Sequence, residues 1–137
     1  MTLWRGAVIG WVVMAVAASA NGIFRVIVLE PRLGAKMAGV ISAISAIAII
    51  QLIAFLAVGG QRAGSGRQLA AVAIAWLLLT IAFEVILGRY VDRKSWTELV
   101  ADYNLLEGRL WPVVLASIFA APFVWGRVGG ARSAVAG

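Results

Sequence analysis

Charged residues divide this chain into four long apolar stretches. Gly6 to Phe24 runs 19 residues without a charge, and Met37 to Gln61 runs 25. The 21 residues between Arg67 and Arg89 hold one charge, Glu84, and the 17 from Leu110 to Gly126 hold none. A helix needs about 20 mostly apolar residues to cross about 30 Å of hydrocarbon. A β-barrel would instead show short segments of alternating polarity, and none is visible. The pattern predicts an all-α fold, a four-transmembrane-helix bundle with spans at approximately 6–29, 37–58, 68–88 and 109–126. No internal repeat is found, so residues 1–137 read as a single integral membrane domain.

The connections are short. Residues 30–36 join the first two spans, with Pro31 and Gly34 as breakers. Residues 59–68 form a Gly/Ser/Arg loop before the third span. Residues 89–108 form the one connection long enough to carry structure, and within it Ser95-Trp96-Thr97-Glu98 fits a capping box, an N-cap Ser with Glu three residues on. The helix it opens sets Trp96, Leu99, Val100 and Tyr103 at i, i+3, i+4 and i+7, with Asn104 as a stop. This predicts a short amphipathic interfacial helix between the third and fourth spans, its aromatics at headgroup depth. Trp111-Pro112 opens the fourth span, where proline costs no hydrogen bond. Pro122 predicts a kink or an early end, and the tail from Gly126 to Gly137 reads as frayed. The first span resembles a signal peptide, with Arg5 before it and Ala18-Ser19-Ala20 inside it. With three more spans following, it is read as a retained helix.

Composition agrees with this architecture. The chain is 63% hydrophobic and 13% charged, against about 45–50% and 25% in soluble domains. A soluble globular domain, a disordered tail and a disulfide scaffold are all excluded. Cys and His are both absent, which removes thiol nucleophiles, the usual zinc and haem sites, and histidine acid–base chemistry. No serine stands beside a base and no metal-ligand spacing occurs, so neither catalytic residues nor a metal or cofactor is expected. The net charge of +6 reads as membrane anchoring, since a nucleic-acid footprint needs a clustered basic face of its own. Arg5, Arg62, Arg67, Arg127 and Arg132 fall on the side of the termini with no acid among them. Both termini are therefore expected in the cytoplasm of a cell whose inner (plasma) membrane the chain crosses several times.

Small residues recur at four-residue spacing: Gly6 and Gly10; Ala35, Gly39 and Ala43; Ala38, Ser42 and Ala46; Ala71 and Ala75; Ala116 and Ala120. Such residues let helices approach closely in lipid, within one chain or across a homo-oligomer. Gln51, the deepest polar residue of the second span, is expected to bond a neighbouring helix.

Ionisable residues inside spans are functional candidates. Arg25 ends the first span, Glu84 lies late in the third, Arg109 opens the fourth, and Asn21 shares a helix face with Arg25 at i, i+4. Counted from the starts of their spans, all four converge near one membrane face. In one reading Glu84 is the buried counter-ion of Arg25 or Arg109. In the other, two arginines and one glutamate make a positive pocket for a phosphate or carboxylate headgroup.

The run Asn21-Gly22, Arg25, Leu29, Pro31, Leu33-Gly34 resembles the first segment of an uncharacterised family of small bacterial four-span integral membrane proteins. The run Phe83-Glu84, Gly88, Tyr90, Ser95-Trp96, Leu99, Asp102-Tyr103-Asn104, Gly108-Arg109, Trp111-Pro112 resembles its second half. The resemblance implies an architecture and no activity. The expected function is non-enzymatic binding of a lipid headgroup, another anionic ligand or a membrane partner at the face opposite the termini. The alternative is a small cation- or proton-coupled transporter acting as an oligomer through Glu84.

Overall fold

A computed structural model of the protein describes residues 3–59, 65–101 and 110–136, with side chains as far as Arg127. Every regular element among them is a helix: α1 Leu3–Leu33, α2 Ala35–Gly59, α3 Gly66–Val91, α4 Trp96–Ala101 and α5 Trp111–Ala136. α1, α2 and α3 have 31, 25 and 26 residues and are apolar enough to cross a membrane. The apolar part of α5, Trp111–Arg127, is shorter.

Several helix ends differ from the sequence expectation, each for a local reason. Pro31 does not break α1. It has no N–H to donate to Ile27 and its ring crowds that carbonyl. The ladder widens instead: residues 25–29 form a π-helical turn, closed by the Glu30 N–H on the Arg25 carbonyl. The helix runs on to Leu33, and the expected seven-residue connection shrinks to one corner residue, Gly34, at φ +83°. A side chain there would be strained, so glycine suits the corner. α3 starts earlier than expected, at Gly66, because Ser65 and Gln68 form a capping box: the Gln68 N–H donates to Ser65 Oγ at 3.3 Å, and the Ser65 N–H donates to Gln68 Oε1 at 3.0 Å. α5 neither ends at Pro122 nor frays at Gly126; it continues to Ala136. Pro122 is fully buried, and transmembrane helices tolerate proline where neighbouring helices support them.

α5 packs against α3 and α2, α2 packs also against α1, and α1 meets α3 only lightly. The core joins Leu69, Val72 and Trp76 of α3, Ile50, Ala54 and Val58 of α2, Val114, Leu115, Ile118 and Ala121 of α5, and Ala7 and Met14 of α1. Of the small-residue stripes, Ala38, Ser42 and Ala46 face inward and extend through Ile50 to Ala54. Gly6 and Gly10 are buried too, so their close approach serves packing within the chain. A Cβ at Gly10 would stand 2.8 Å from Ala57 Cβ. Ala71, Ala116 and Ala120 face outward.

Candidate functional site

Asn21 and Arg25 do share one face of α1, and that face meets α2. Asn21 Nδ2 donates to the Ser42 carbonyl at 2.9 Å and to Ser42 Oγ at 3.1 Å. One turn on, Arg25 is half-buried where α1 meets the start of α2. Its Nε lies 3.6 Å from Glu30 Oε1. That pairing follows from the π-helical turn, whose i→i−5 ladder stacks residues five apart that an ordinary helix would splay. Arg25 Nε is buried and makes no hydrogen bond. Arg32, its Nη1 bonded to the Val28 carbonyl, and Lys36 are exposed nearby in sequence. The α1–α2 corner thus carries three cations and one carboxylate.

Glu84 stands apart from this corner. Two bonds set the register of α1 on α3: Trp76 Nε1 donates to the Ala7 carbonyl at 2.9 Å, and Trp11 Nε1 to Thr80 Oγ1 at 3.1 Å. Arg25 is 14 residues beyond Trp11 and Glu84 only four beyond Thr80. At 1.5 Å per residue they differ by on the order of 15 Å along the bundle. Counting from the starts of the apolar runs overlooks this offset. Arg25 therefore takes Glu30 as its carboxylate, while Glu84 is half-buried and not without a partner of its own. Arg109 lies outside the described residues.

α4 opens as its capping box predicts. The Glu98 N–H donates to Ser95 Oγ at 3.2 Å and the Ser95 N–H to Glu98 Oε2 at 3.3 Å. Its apolar residues divide: Leu99 is half-buried, whereas Trp96 and Val100 are exposed; Tyr103 and Asn104 lie outside the described residues. Two residues near the end of α3 hold α4 against it. The Arg89 guanidinium sits 4.9 Å over the Trp96 ring and bonds the Lys94 carbonyl at 2.9 Å. Gly88 leaves the space that Leu99 occupies. A branched Cβ at Gly88 would overlap Leu99, and overpacking of this kind costs about 1–3 kcal/mol. Gly88→Val is therefore expected to lift α4 from α3 and to accelerate amide exchange over residues 96–101, leaving exchange in α5 unchanged.

Elsewhere the polar groups of the spans bond one another. Gln51 joins α2 to α5, as expected: Nε2 donates to Ser117 Oγ at 2.7 Å, and Trp125 Nε1 donates to Gln51 Oε1 at 2.8 Å. Thr80, which accepts from Trp11, donates to the Trp76 carbonyl at 2.7 Å. The Trp11 ring meets Phe83 edge-on at 6.0 Å. These α1–α3 contacts lie at or before Trp11. Beyond it the outer face of α1 from Trp11 to Ile23, with Phe83 of α3 at one edge, forms an open apolar hollow.

Comparison with protein-family models, with curated proteins and with solved structures finds no match.

Proposed function

We propose that this protein is a non-enzymatic, four-span protein of a bacterial inner membrane, with both termini in the cytoplasm, that binds the anionic headgroup of a membrane lipid at the face opposite its termini. The observation carrying this reading is Arg25. Its Nε is buried with no hydrogen bond, its one carboxylate neighbour is 3.6 Å away, and two further cations belong to the same corner. Although Nε is enclosed, 42% of the side chain is exposed, and a guanidinium at the edge of hydrocarbon suits a phosphate, which it meets with two parallel bonds. The test is native mass spectrometry of protein extracted from vesicles of mixed phosphatidylglycerol and phosphatidylcholine. The wild-type chain is expected to retain phosphatidylglycerol preferentially, and Arg25→Gln to lower that preference several-fold. Equal retention by both proteins overturns the reading.

A second reading draws on Glu84, the one charged residue inside the third apolar run, half-buried one turn beyond Thr80. Carboxylates inside spans are the groups proton-coupled transporters use. Dissipation of a pH gradient by the reconstituted protein, abolished in Glu84→Gln, would favour this reading over headgroup binding alone.

A further inference from the structure

The corner where α3 turns into α4 holds a cation whose charge no described residue balances. Arg89 is half-buried near the end of α3. No carboxylate among the described residues comes within salt-bridge reach of it, whereas Arg25 has Glu30. Asp92 is exposed and outside that reach, and the Glu98 carboxylate accepts from the Ser95 N–H. A half-buried cation at the edge of hydrocarbon is costly unless an anion or a dipole meets it. Two groups meet Arg89 in part. The Lys94 carbonyl accepts from Nη1 at 2.9 Å, and the Trp96 ring lies 4.9 Å from the guanidinium. Nε is enclosed without a bond. The remaining donors, on the two Nη atoms, have no bond among the described residues.

The fork is held in place before any ligand arrives. Lys94, whose carbonyl fixes Nη1, is itself tied to α3 by its N–H on the Gly88 carbonyl at 2.7 Å. Leu99, seated against Gly88, holds α4 and with it the Trp96 ring. Between them Arg93 turns the chain at φ +56°, a conformation that glycine takes at less cost. The corner thereby carries a second, exposed cation four residues from the first. Trp96 and Tyr90 are exposed at the end of the span, where such side chains meet headgroups. A guanidinium fork that is fixed and not neutralised matches a phosphate group, which takes two parallel bonds from one arginine. Fixing the side chain beforehand spares the entropy of ordering it on binding. We infer that the α3–α4 corner binds one phosphate group through Arg89, that of a membrane phospholipid or of free phosphate. This goes beyond the headgroup reading above: the corner shares no residue with Arg25 and Glu30, so either site can fail alone.

The test uses the full chain labelled with 5-fluorotryptophan in maltoside micelles, which contain no phosphate. Fluorine NMR follows the Trp96 signal, identified by its loss in Trp96→Phe, as dioctanoyl phosphatidylglycerol, inorganic phosphate or dioctanoylglycerol is added. Phosphatidylglycerol is expected to move the signal saturably and dioctanoylglycerol to leave it in place. Saturation by inorganic phosphate at similar concentrations identifies the free anion as the ligand, and saturation by the phospholipid alone identifies the headgroup. Arg89→Gln is expected to weaken binding about tenfold or more, the worth of a charge-assisted bond. Gly88→Val keeps every charge but unseats Leu99, and is expected to weaken binding several-fold, which diffuse charge would not do. Arg25→Gln is expected to leave the titration unchanged. The signal of Trp76, buried in the core, checks that each variant is folded. No saturable shift with either phosphate, an equal shift with dioctanoylglycerol, or wild-type affinity in Arg89→Gln or Gly88→Val overturns the inference. So does a loss in Arg25→Gln as large as that in Arg89→Gln.

Discussion

Trp76→Ala is expected to be the most damaging single substitution in the bundle, at about 3–5 kcal/mol for deleting a buried tryptophan side chain. Trp76 is 1% exposed and is the largest fully buried side chain among the described residues. It lies under Gly10 and donates its indole N–H to the Ala7 carbonyl. In lipid no hydrophobic force draws one helix to another, so helices associate through van der Waals contact and polar bonds. Trp76 supplies both at the place where α1 touches α3, and α1 has few other contacts there. Deleting the ring leaves a cavity whose lining atoms lose their partners. Trp76→Phe separates the two contributions: it retains most of the packing and loses the hydrogen bond, a loss of about 0.6–1.7 kcal/mol for interhelical bonds in membranes. Thermal unfolding in detergent is expected to rank wild type above Trp76→Phe, and Trp76→Phe well above Trp76→Ala. Faster amide exchange in α1 should accompany the alanine variant. Equal losses for the two variants would mean that the ring packing anchors nothing.

Gln51→Leu is the second large effect, through unsatisfied partners. The amide of Gln51 serves Ser117 with its nitrogen and Trp125 with its oxygen. Leucine keeps the approximate volume, but the indole N–H of part-buried Trp125 loses its acceptor, at about 1–3 kcal/mol for a group left without a partner. The neighbouring edge contact between Phe55 and Trp125, at 5.2 Å, leaves the indole little room to turn toward another acceptor. Trp125→Phe removes the stranded donor along with the acceptor. The double variant Gln51→Leu/Trp125→Phe is therefore expected to lose less than the sum of its single variants when all are compared by thermal unfolding. Simple additivity would show that the two residues are not coupled.

Local features of the fold were legible before any coordinates. The expected Ser-x-x-Glu capping box at Ser95 opens α4, and the related Ser-x-x-Gln box at Ser65, set among glycines, opens α3. Pro112 opens α5 as proline chemistry predicts, whereas Pro31 does not break α1 and α5 does not end at Pro122. A helix wholly committed to its backbone bonds, with neighbours to support it, absorbs a proline by widening one turn or by continuing past it. The candidate cluster was legible only in part. Asn21 and Arg25 share a face because i, i+4 spacing is a property of one helix. Whether that face looks at α2 or α3 is not, and the bonds from Asn21 to Ser42 answer for α2.

Taken by itself, the sequence determines that the described residues are helical and sets the four apolar runs apart, of which α1, α2 and α3 are long enough to cross a membrane and that of α5 is shorter, because the thickness of hydrocarbon and the cost of unpaired backbone act on each segment separately. Local caps belong to the same class, being satisfied within four residues. Only the tertiary structure decides the axial offset that parts Arg25 from Glu84, the ring order that leaves α1 open toward α3, and the use of Gly88 as a seat for Leu99. The reason is that helices apolar on every side have no polar stripe from which an inward face can be read. Their faces are chosen by where small residues, indole N–H groups and amides find partners on another helix, and that is a property of pairs of segments, not of any one of them.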